Sequence, residues 1–233
     1  MKRDIKKIIK SLVLVLLLIG TRIIECDAQQ LNRIVISNKR TDSIDQKIKA
    51  SIDAQFRSTI FDKKVKPDLV KQEKYAVKKY GETGEEVIWN LIALYYYLDF
   101  NNSKQIKSQT AWVEYKNKIN AKYPDATNAF TLNNDAWFLF ENSTDKKQLE
   151  AAFTWSKKAI EKEPEVGNWL DTYANLLYKL GRKKEAIEWE EKALQLEKEN
   201  ALKNNGKLNP VFAETLEKMK KGIPTWFLEK PKK

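Results

Sequence analysis

The sequence predicts an all-α protein of stacked antiparallel helical hairpins with a C-terminal capping helix. Two segments, LEAAFTWSKKAIEKEP and KEAIEWEEKALQLEKE, repeat the same alanines, tryptophan and lysine with an offset of 34 residues. A fixed period of this size is typical of helical hairpins packed in series. The chain of 233 residues contains 7 glycines and 6 prolines, too few for the many turns of a sheet-rich fold.

The composition is that of an ordered, basic chain. Hydrophobic residues make up 42% of it and aromatic residues 11%, enough to build a packed core. The formal net charge of +11 raises the question of a nucleic-acid or membrane-surface partner. The lysines, however, are mixed with glutamates along the predicted helices and form no arginine cluster, a pattern typical of a solvated surface. We therefore predict no nucleic-acid partner.

Residues 1–28 have the pattern of a secretory signal peptide. The basic stretch MKRDIKKIIK precedes the apolar run LVLVLLLIG, which is shorter than the roughly 20 residues that span a bilayer. Small side chains before Gln29 suit a cleavage site, and an uncleaved anchor helix is the alternative. We predict a periplasmic or otherwise extracytoplasmic protein that contacts the membrane only through this segment during export. The single cysteine, Cys26, lies within it, so the mature chain would form no disulfide.

Residues 29–128 predict an N-terminal helical region. An apolar residue recurs every fourth position from Ile44 to Ile60, the stripe of an amphipathic helix. The next helix has Pro67 in a position suited to its first turn and Gly81 in a position suited to its end.

The same region ends in a degenerate helical hairpin. The segment EEVIWNLIALYYYLDF is apolar nearly all round and predicts a helix buried on several sides. The sequence NNS at 101–103 would break that helix and cap the next, which ends before Pro124.

Residues 129–233 predict regular hairpins. A helix through DAWFLFEN precedes Ser143 and Thr144, whose hydroxyls suit an N-cap, and the following helix ends at Pro164. Gly181 is suited to the stop of the next helix. The final helix would start at Asn209–Pro210 and stop at Gly222, with Trp226 and Phe227 folding back to cover the last apolar face.

The second repeated segment, together with the helix before it, resembles the tetratricopeptide repeat. Residues 167–200 match the family's aromatic, small and turn positions at Tyr173, Ala174, Leu177, Gly181, Ala186, Ala193 and, one place early, Trp189. They depart from the pattern, which prefers tryptophan, another aromatic and proline, at Leu170, Glu190 and Lys198. Residues 133–166 match at Leu139, Ala152, Ala159 and Pro164. The resemblance implies an α-solenoid that binds another protein or a peptide.

The order of motifs over about residues 130–200 is also similar to the helical tail that follows a thioredoxin domain in some bacterial envelope proteins. Because the chain has no Cys-x-x-Cys motif, this resemblance carries over the tail and not the reductase activity. It adds a second interpretation, an accessory that docks a separate thioredoxin-like partner for thiol–disulfide chemistry.

The residue types argue against catalysis. The sequence has no histidine, and its one cysteine lies in the predicted signal peptide, so the common nucleophile–base pairs and zinc sites are missing. We predict no enzymatic activity, no cofactor and no metal site. A solvated helix face is predicted for four carboxylates next to lysines: Glu185, Glu188, Glu190 and Glu191. The remaining alternative, a hydrolase using carboxylates alone, requires a carboxyl group with a raised pKa in a dry cleft.

The tetratricopeptide resemblance implies a concave groove lined by the first helix of each hairpin. The groove residues are Asn134, Trp137 and Glu141 in one repeat and Asn168, Asp171, Thr172, Asn175, Tyr178 and Lys179 in the next. Asparagine can bond to a peptide backbone, and tryptophan or tyrosine can anchor an apolar side chain. Asn175 stands where an asparagine helps to clamp a peptide carboxylate in some family members, but Asp171 replaces the lysine of that clamp. The alternative for Trp137 and Tyr178 is a core position against the neighbouring hairpin.

Overall fold

The structure is a computed structural model that describes residues 43–62, 65–203 and 206–226, and these ranges contain helices and no strand. The helices are α1 Ser43–Ile60, α2 Leu69–Ser103, α3 Ile106–Lys122, α4 Ala129–Asn142, α5 Lys146–Lys162, α6 Gly167–Lys179, α7 Lys183–Lys203 and α8 Pro210–Lys220. A 3-10 turn, Pro124–Ala126, lies between α3 and α4. The prediction of an all-α fold is confirmed.

The described residues belong to one compact unit. The predicted signal peptide and Phe227 lie outside the described residues. In the ranges that are described, none of the helices has the length and apolar character needed to cross a membrane.

Helices that follow each other in the sequence pack together in pairs. Helix α2 pairs with α3, α4 with α5, and α6 with α7, while α1 packs on α2 and α8 on α7. Successive pairs also contact each other, through α3 and α5, through α4 and α6, and through α5 and α6. As a result, α4 and α6 lie side by side.

The repeated alanines lie where the paired helices approach most closely. Ala152 and Ala159 on α5, and Ala186 and Ala193 on α7, are all 0% exposed, which fits the close helix approach that small side chains allow. The tryptophans at equivalent positions differ. Trp155 is buried against Trp112, with ring centroids 5.7 Å apart, whereas Trp189 is only half-buried against Tyr173. The equivalent alanines are thus buried alike, whereas the equivalent tryptophans are not.

Helix α2 bends sharply at Gly81, where the sequence predicts a helix end. Gly81 has φ 59° and ψ −139°, a conformation that favours glycine. The bend brings Trp89 Nε1 within 2.7 Å of the Glu73 carboxylate, although 16 residues of straight helix would span about 24 Å. A Cβ on Gly84 would lie 2.4 Å from the Ala76 carbonyl oxygen, so both glycines are needed for this geometry.

Three helix termini agree with the sequence analysis. Gly181 (φ 87°) follows α6 and Gly222 (φ 74°) follows α8, both in the left-handed region. The Asn209 side chain accepts a hydrogen bond from Val211 N at 3.1 Å, capping α8.

Two other termini differ from the prediction. The sequence NNS does not break α2, which includes Ser103 and ends at Lys104 in a left-handed conformation. The N-cap of α5 is Asp145, which accepts from Gln148 N at 2.9 Å. The Ser143 hydroxyl instead accepts from Asp145 N and donates to the Gln148 side chain, so it supports the cap indirectly.

Candidate binding surface

The predicted groove residues lie on α4 and α6, which contact each other. Helix α4 supplies Asn134, Trp137 and Glu141, and α6 supplies Asn168, Asp171, Thr172, Asn175, Tyr178 and Lys179. The ammonium of Lys179 donates a hydrogen bond to the Phe140 carbonyl oxygen and so links the C-terminal ends of the two helices. We refer to this part of the molecule as the α4–α6 face.

An aromatic cluster surrounds Lys179 on this face. Its ammonium lies 5.2 Å from the centre of the Phe140 ring and 5.4 Å from that of Trp226, within the range of cation–π attraction. Trp137 packs against Phe140 with ring centroids 4.8 Å apart. Lys183 lies 5.8 Å from the Tyr178 ring. We give the name indole site to Phe140, Tyr178 and Lys179 around the Trp226 ring, with Trp137 packed against Phe140.

Tyr178 is covered by the C-terminal part of the chain. It is 3% exposed, its hydroxyl donates to the Met219 carbonyl oxygen at 3.3 Å, and its ring lies 6.1 Å from that of Trp226. This is the core position that the sequence left as the alternative for Tyr178, although its cover comes from α8 and the segment after it. Trp137, in contrast, is half-buried and reaches solvent.

Glu141 and Lys179 are paired electrostatically across the α4–α6 face. Partial burial raises the pKa of Glu141, and the hydrogen bond from Trp137 and the charge of Lys179 oppose this rise. Burial likewise lowers the pKa of Lys179, while Glu141 raises it. Because Glu141 is exposed to solvent, water screens this interaction and weakens it.

Besides Tyr178, three of the predicted groove residues are buried and make contacts within the protein: Asp171, Thr172 and Asn175. Asn175 is 2% exposed, and its amide donates to Asp171 Oδ1 at 3.0 Å and to the Asp171 carbonyl oxygen at 2.9 Å. The Thr172 hydroxyl is also buried and donates to the carbonyl oxygen of Asn168. The accessible part of the face therefore consists of the partly or fully exposed residues Asn134, Trp137, Glu141, Asn168 and Lys179.

The carboxyl group that faces Asp171 is that of Glu190, for which the sequence predicts a solvated position. Glu190 on α7 is 0% exposed, so the predicted solvated helix face is wrong at this position. Glu185, Glu188 and Glu191 are exposed, and Glu185 accepts hydrogen bonds from Arg182. A signal for the burial exists, because Ala186, Glu190 and Ala193 are spaced i, i+4, i+7 and so share one helix face.

Asp171 of α6 and Glu190 of α7 are buried carboxyl groups whose pKa values influence each other. Burial raises the pKa of Glu190 to about 10, and the negative charge and hydrogen-bond acceptance of Asp171 add to the rise. Burial also raises the pKa of Asp171, but hydrogen bonds from Glu190 and Asn175 oppose that change. We therefore assign the proton to Glu190 and the negative charge to Asp171.

The pair satisfies one requirement of a carboxylate hydrolase and lacks the other. A carboxyl group with a raised pKa is present, but Asp171 is 9% exposed and Glu190 is 0% exposed, so a substrate has no access to the protonated group. Among the described residues, no cluster of three or more Asp, Glu, Cys or His side chains is arranged to hold a metal ion.

Comparison of the chain with protein-family models, curated proteins and solved structures finds no match.

Proposed function

We propose that the chain is a non-catalytic protein-binding module of the bacterial envelope that recognises a partner through the α4–α6 face. One observation carries the proposal. Five of the residues that the sequence assigns to a groove are exposed or half-buried on two helices that contact each other, and among them Glu141 interacts with both Trp137 and Lys179. Aromatic anchors beside adaptable polar groups are the usual composition of a recognition surface.

The packing of the helices is the second support. A tetratricopeptide-like solenoid requires the first helices of successive hairpins to pack together, and α4 and α6 do so. It also requires small residues between the two helices of a hairpin, which Ala186 and Ala193 provide. In this arrangement α8 would serve as the capping helix, because it packs on α7 of the last hairpin.

Export is part of the proposal and rests on the sequence of residues 1–28, with its basic start and apolar run. An extracytoplasmic chain with no histidine, and no cysteine after Cys26, has few side chains for catalysis and is suited to binding. Its partner would be another protein or a peptide of the same compartment.

Photo-crosslinking in cells tests the surface. A photoreactive side chain replaces Asn168, which is exposed on α6, and in a matched control it replaces Lys184, which is exposed on α7. We expect one defined protein to be captured from position 168 and not from position 184. That protein is then purified, and its affinity for the chain is expected to fall with Trp137→Ala and to be unchanged with Lys184→Ala.

Equal capture from positions 168 and 184 would contradict the proposal. So would an affinity for the captured protein that is unchanged by Trp137→Ala. A captured protein with a thioredoxin fold would favour the second interpretation, an accessory of thiol–disulfide chemistry, and would still use the same face.

A further inference from the structure

The described residues after α8, up to Trp226, reach the α4–α6 face. After Lys220 the chain turns at Gly222, and Ile223 N donates to the Lys218 carbonyl oxygen at 2.9 Å. Gly222, Ile223, Pro224 and Thr225 form no regular helix or strand, and they bring Trp226 back to α4 and α6. The site that the face offers to a partner thus already holds a side chain of the protein itself.

The Trp226 ring contacts the helices that meet at this face. It lies edge-to-face with Phe140 of α4, with centroids 6.4 Å apart and an interplanar angle of 88°. On α6 it contacts Tyr178 at 6.1 Å and the Lys179 ammonium at 5.4 Å. Edge-to-face contacts between aromatic rings and a cation near the ring centre each stabilise a bound indole.

The contacts of the rest of the segment are poorer. The Thr225 hydroxyl oxygen is buried and has no hydrogen-bond partner, a state that disfavours the docked segment. Ile223 is 47% exposed. Trp226 is therefore the anchor of a segment whose remaining residues contribute little to its attachment.

We propose that the indole site is a binding site for a tryptophan side chain on an extended segment of a partner protein, and that Trp226 is a tethered competitor for it. The proposal rests on the proposed function, since it names the ligand class of the same face. The partner's tryptophan takes the place of Trp226 between Phe140, Tyr178 and Lys179. Release of residues 222–226 leaves the Tyr178 ring to the partner's tryptophan, while the Tyr178 hydroxyl keeps its hydrogen bond to the Met219 carbonyl oxygen of α8.

Because Trp226 is covalently joined to the chain that carries the indole site, a weak contact of its ring can compete with a partner's tryptophan. A side chain joined to its site by a short segment acts at an effective concentration in the millimolar range, so an external segment must overcome this competition. Removal of the competing ring raises the apparent affinity for an external tryptophan without any change in the site itself.

A labelled peptide tests the inference with full-length protein. The peptide has the sequence of residues 222–233, GIPTWFLEKPKK, and carries a fluorophore, and binding is followed by fluorescence anisotropy. We expect the Trp226→Ala chain to bind this peptide at least about tenfold more tightly than the wild-type chain does. Replacement of the tryptophan in the peptide by alanine is expected to abolish the difference.

Two further variants serve as controls. Ile223→Ala changes an exposed residue of the same segment and should leave the affinity at the wild-type value. Addition of Lys179→Ala, which removes the cation 5.4 Å from the ring centre, to the Trp226→Ala chain should reverse most of the gain. Circular dichroism and thermal unfolding establish that each variant keeps the helical fold.

The proposal is overturned if the folded Trp226→Ala chain shows no gain, or if it binds the alanine peptide as well as the tryptophan peptide. Either result leaves the crosslinking test at position 168 unaffected. A partner captured there without any binding of the tryptophan peptide would retain the α4–α6 face and reject its ligand class.

Discussion

Glu190 of α7 is fully enclosed and lies against Asp171 of α6. Asn175 donates to Asp171 Oδ1, whereas neither carboxyl oxygen of Glu190 accepts a hydrogen bond from the described residues. The groups that set the two pKa values include no Lys or Arg of the described chain. The protonation state of Glu190 therefore affects the stability of the α6–α7 hairpin.

That dependence predicts how stability changes with pH. The pKa of Glu190 is higher in the folded protein than in the unfolded chain, where it is about 4.3. Its contribution is therefore complete below about pH 4.3 and decreases as the pH rises toward the folded value of about 10. Relative to Glu190→Gln, the wild-type free energy of unfolding should fall by up to about 1.4 kcal/mol per pH unit between pH 5 and 9. Urea unfolding across this range measures the difference.

The control for this prediction is Glu188→Gln, an exposed carboxyl group on the same helix. Its unfolding free energy should run parallel to that of the wild type. A constant difference between wild type and Glu190→Gln at every pH would show that Glu190 is not protonated in the folded protein.

Gly84→Ala should destabilise the protein by about 1–3 kcal/mol, the usual effect of overpacking. The added Cβ would lie 2.4 Å from the Ala76 carbonyl oxygen, and backbone atoms must move to relieve the contact. Gly206→Ala is the matched change, because its Cβ would meet Ala201 at an ordinary 3.9 Å. Equal midpoints of urea unfolding for the two variants would contradict the bend at Gly81 as described.

Trp155→Ala and Trp189→Ala test whether equivalent positions of the repeat contribute equally. Trp155 is 1% exposed and its indole donates to Asn117 Oδ1 at 2.9 Å, so its loss should cost about 3–5 kcal/mol. Trp189 is half-buried, and we expect its removal to cost less than half as much. Chemical denaturation of both variants measures the two free energies of unfolding. A larger loss of stability with Trp189→Ala than with Trp155→Ala would contradict the assignment of Trp155 as the core residue of the two.

The buried ion pair between α3 and α4 offers a prediction about charge. Lys116 Nζ lies 2.6 Å from Asp135 Oδ2, with side-chain exposures of 9% and 10%. Asp135→Leu leaves the ammonium without its carboxylate and should cost about 3–5 kcal/mol. The double change Lys116→Met with Asp135→Leu should recover most of that loss in the same denaturation assay. A double variant no more stable than Asp135→Leu alone would show that the unpaired ammonium is not the cause of the loss.

Features fixed by local chemistry could be predicted from the sequence. Glycine can adopt the left-handed conformation at little cost, and an asparagine before a proline caps a helix, so Gly181, Gly222 and Asn209 were assigned correctly. The same reasoning predicts that a helix ends at Gly81, where the structure has a bend within α2. Whether a chain stops or bends there depends on Ala76 and Gly84 packing together, which no local pattern reveals.

The candidate site shows the same division. The resemblance assigns nine residues of α4 and α6 to one groove. The two helices contact each other, but four of the nine residues are buried. The burial of Glu190 and the position of Trp226 arise from contacts between distant segments. A lysine-rich neighbourhood predicts a solvated glutamate, and nothing in GIPTW indicates the helix against which it folds.

The bend at Gly81 has a kinetic consequence. It divides α2 into two arms, and α1 contacts both, since Phe56 lies against Tyr75 and Tyr80 of the first arm while Lys49 pairs with Glu86 of the second. Straightening the bend would remove one of these sets of contacts, so α1 and the first arm can open only together. Their amide hydrogens should then exchange with solvent at a common rate, as a single cooperative unit at this end of the described chain.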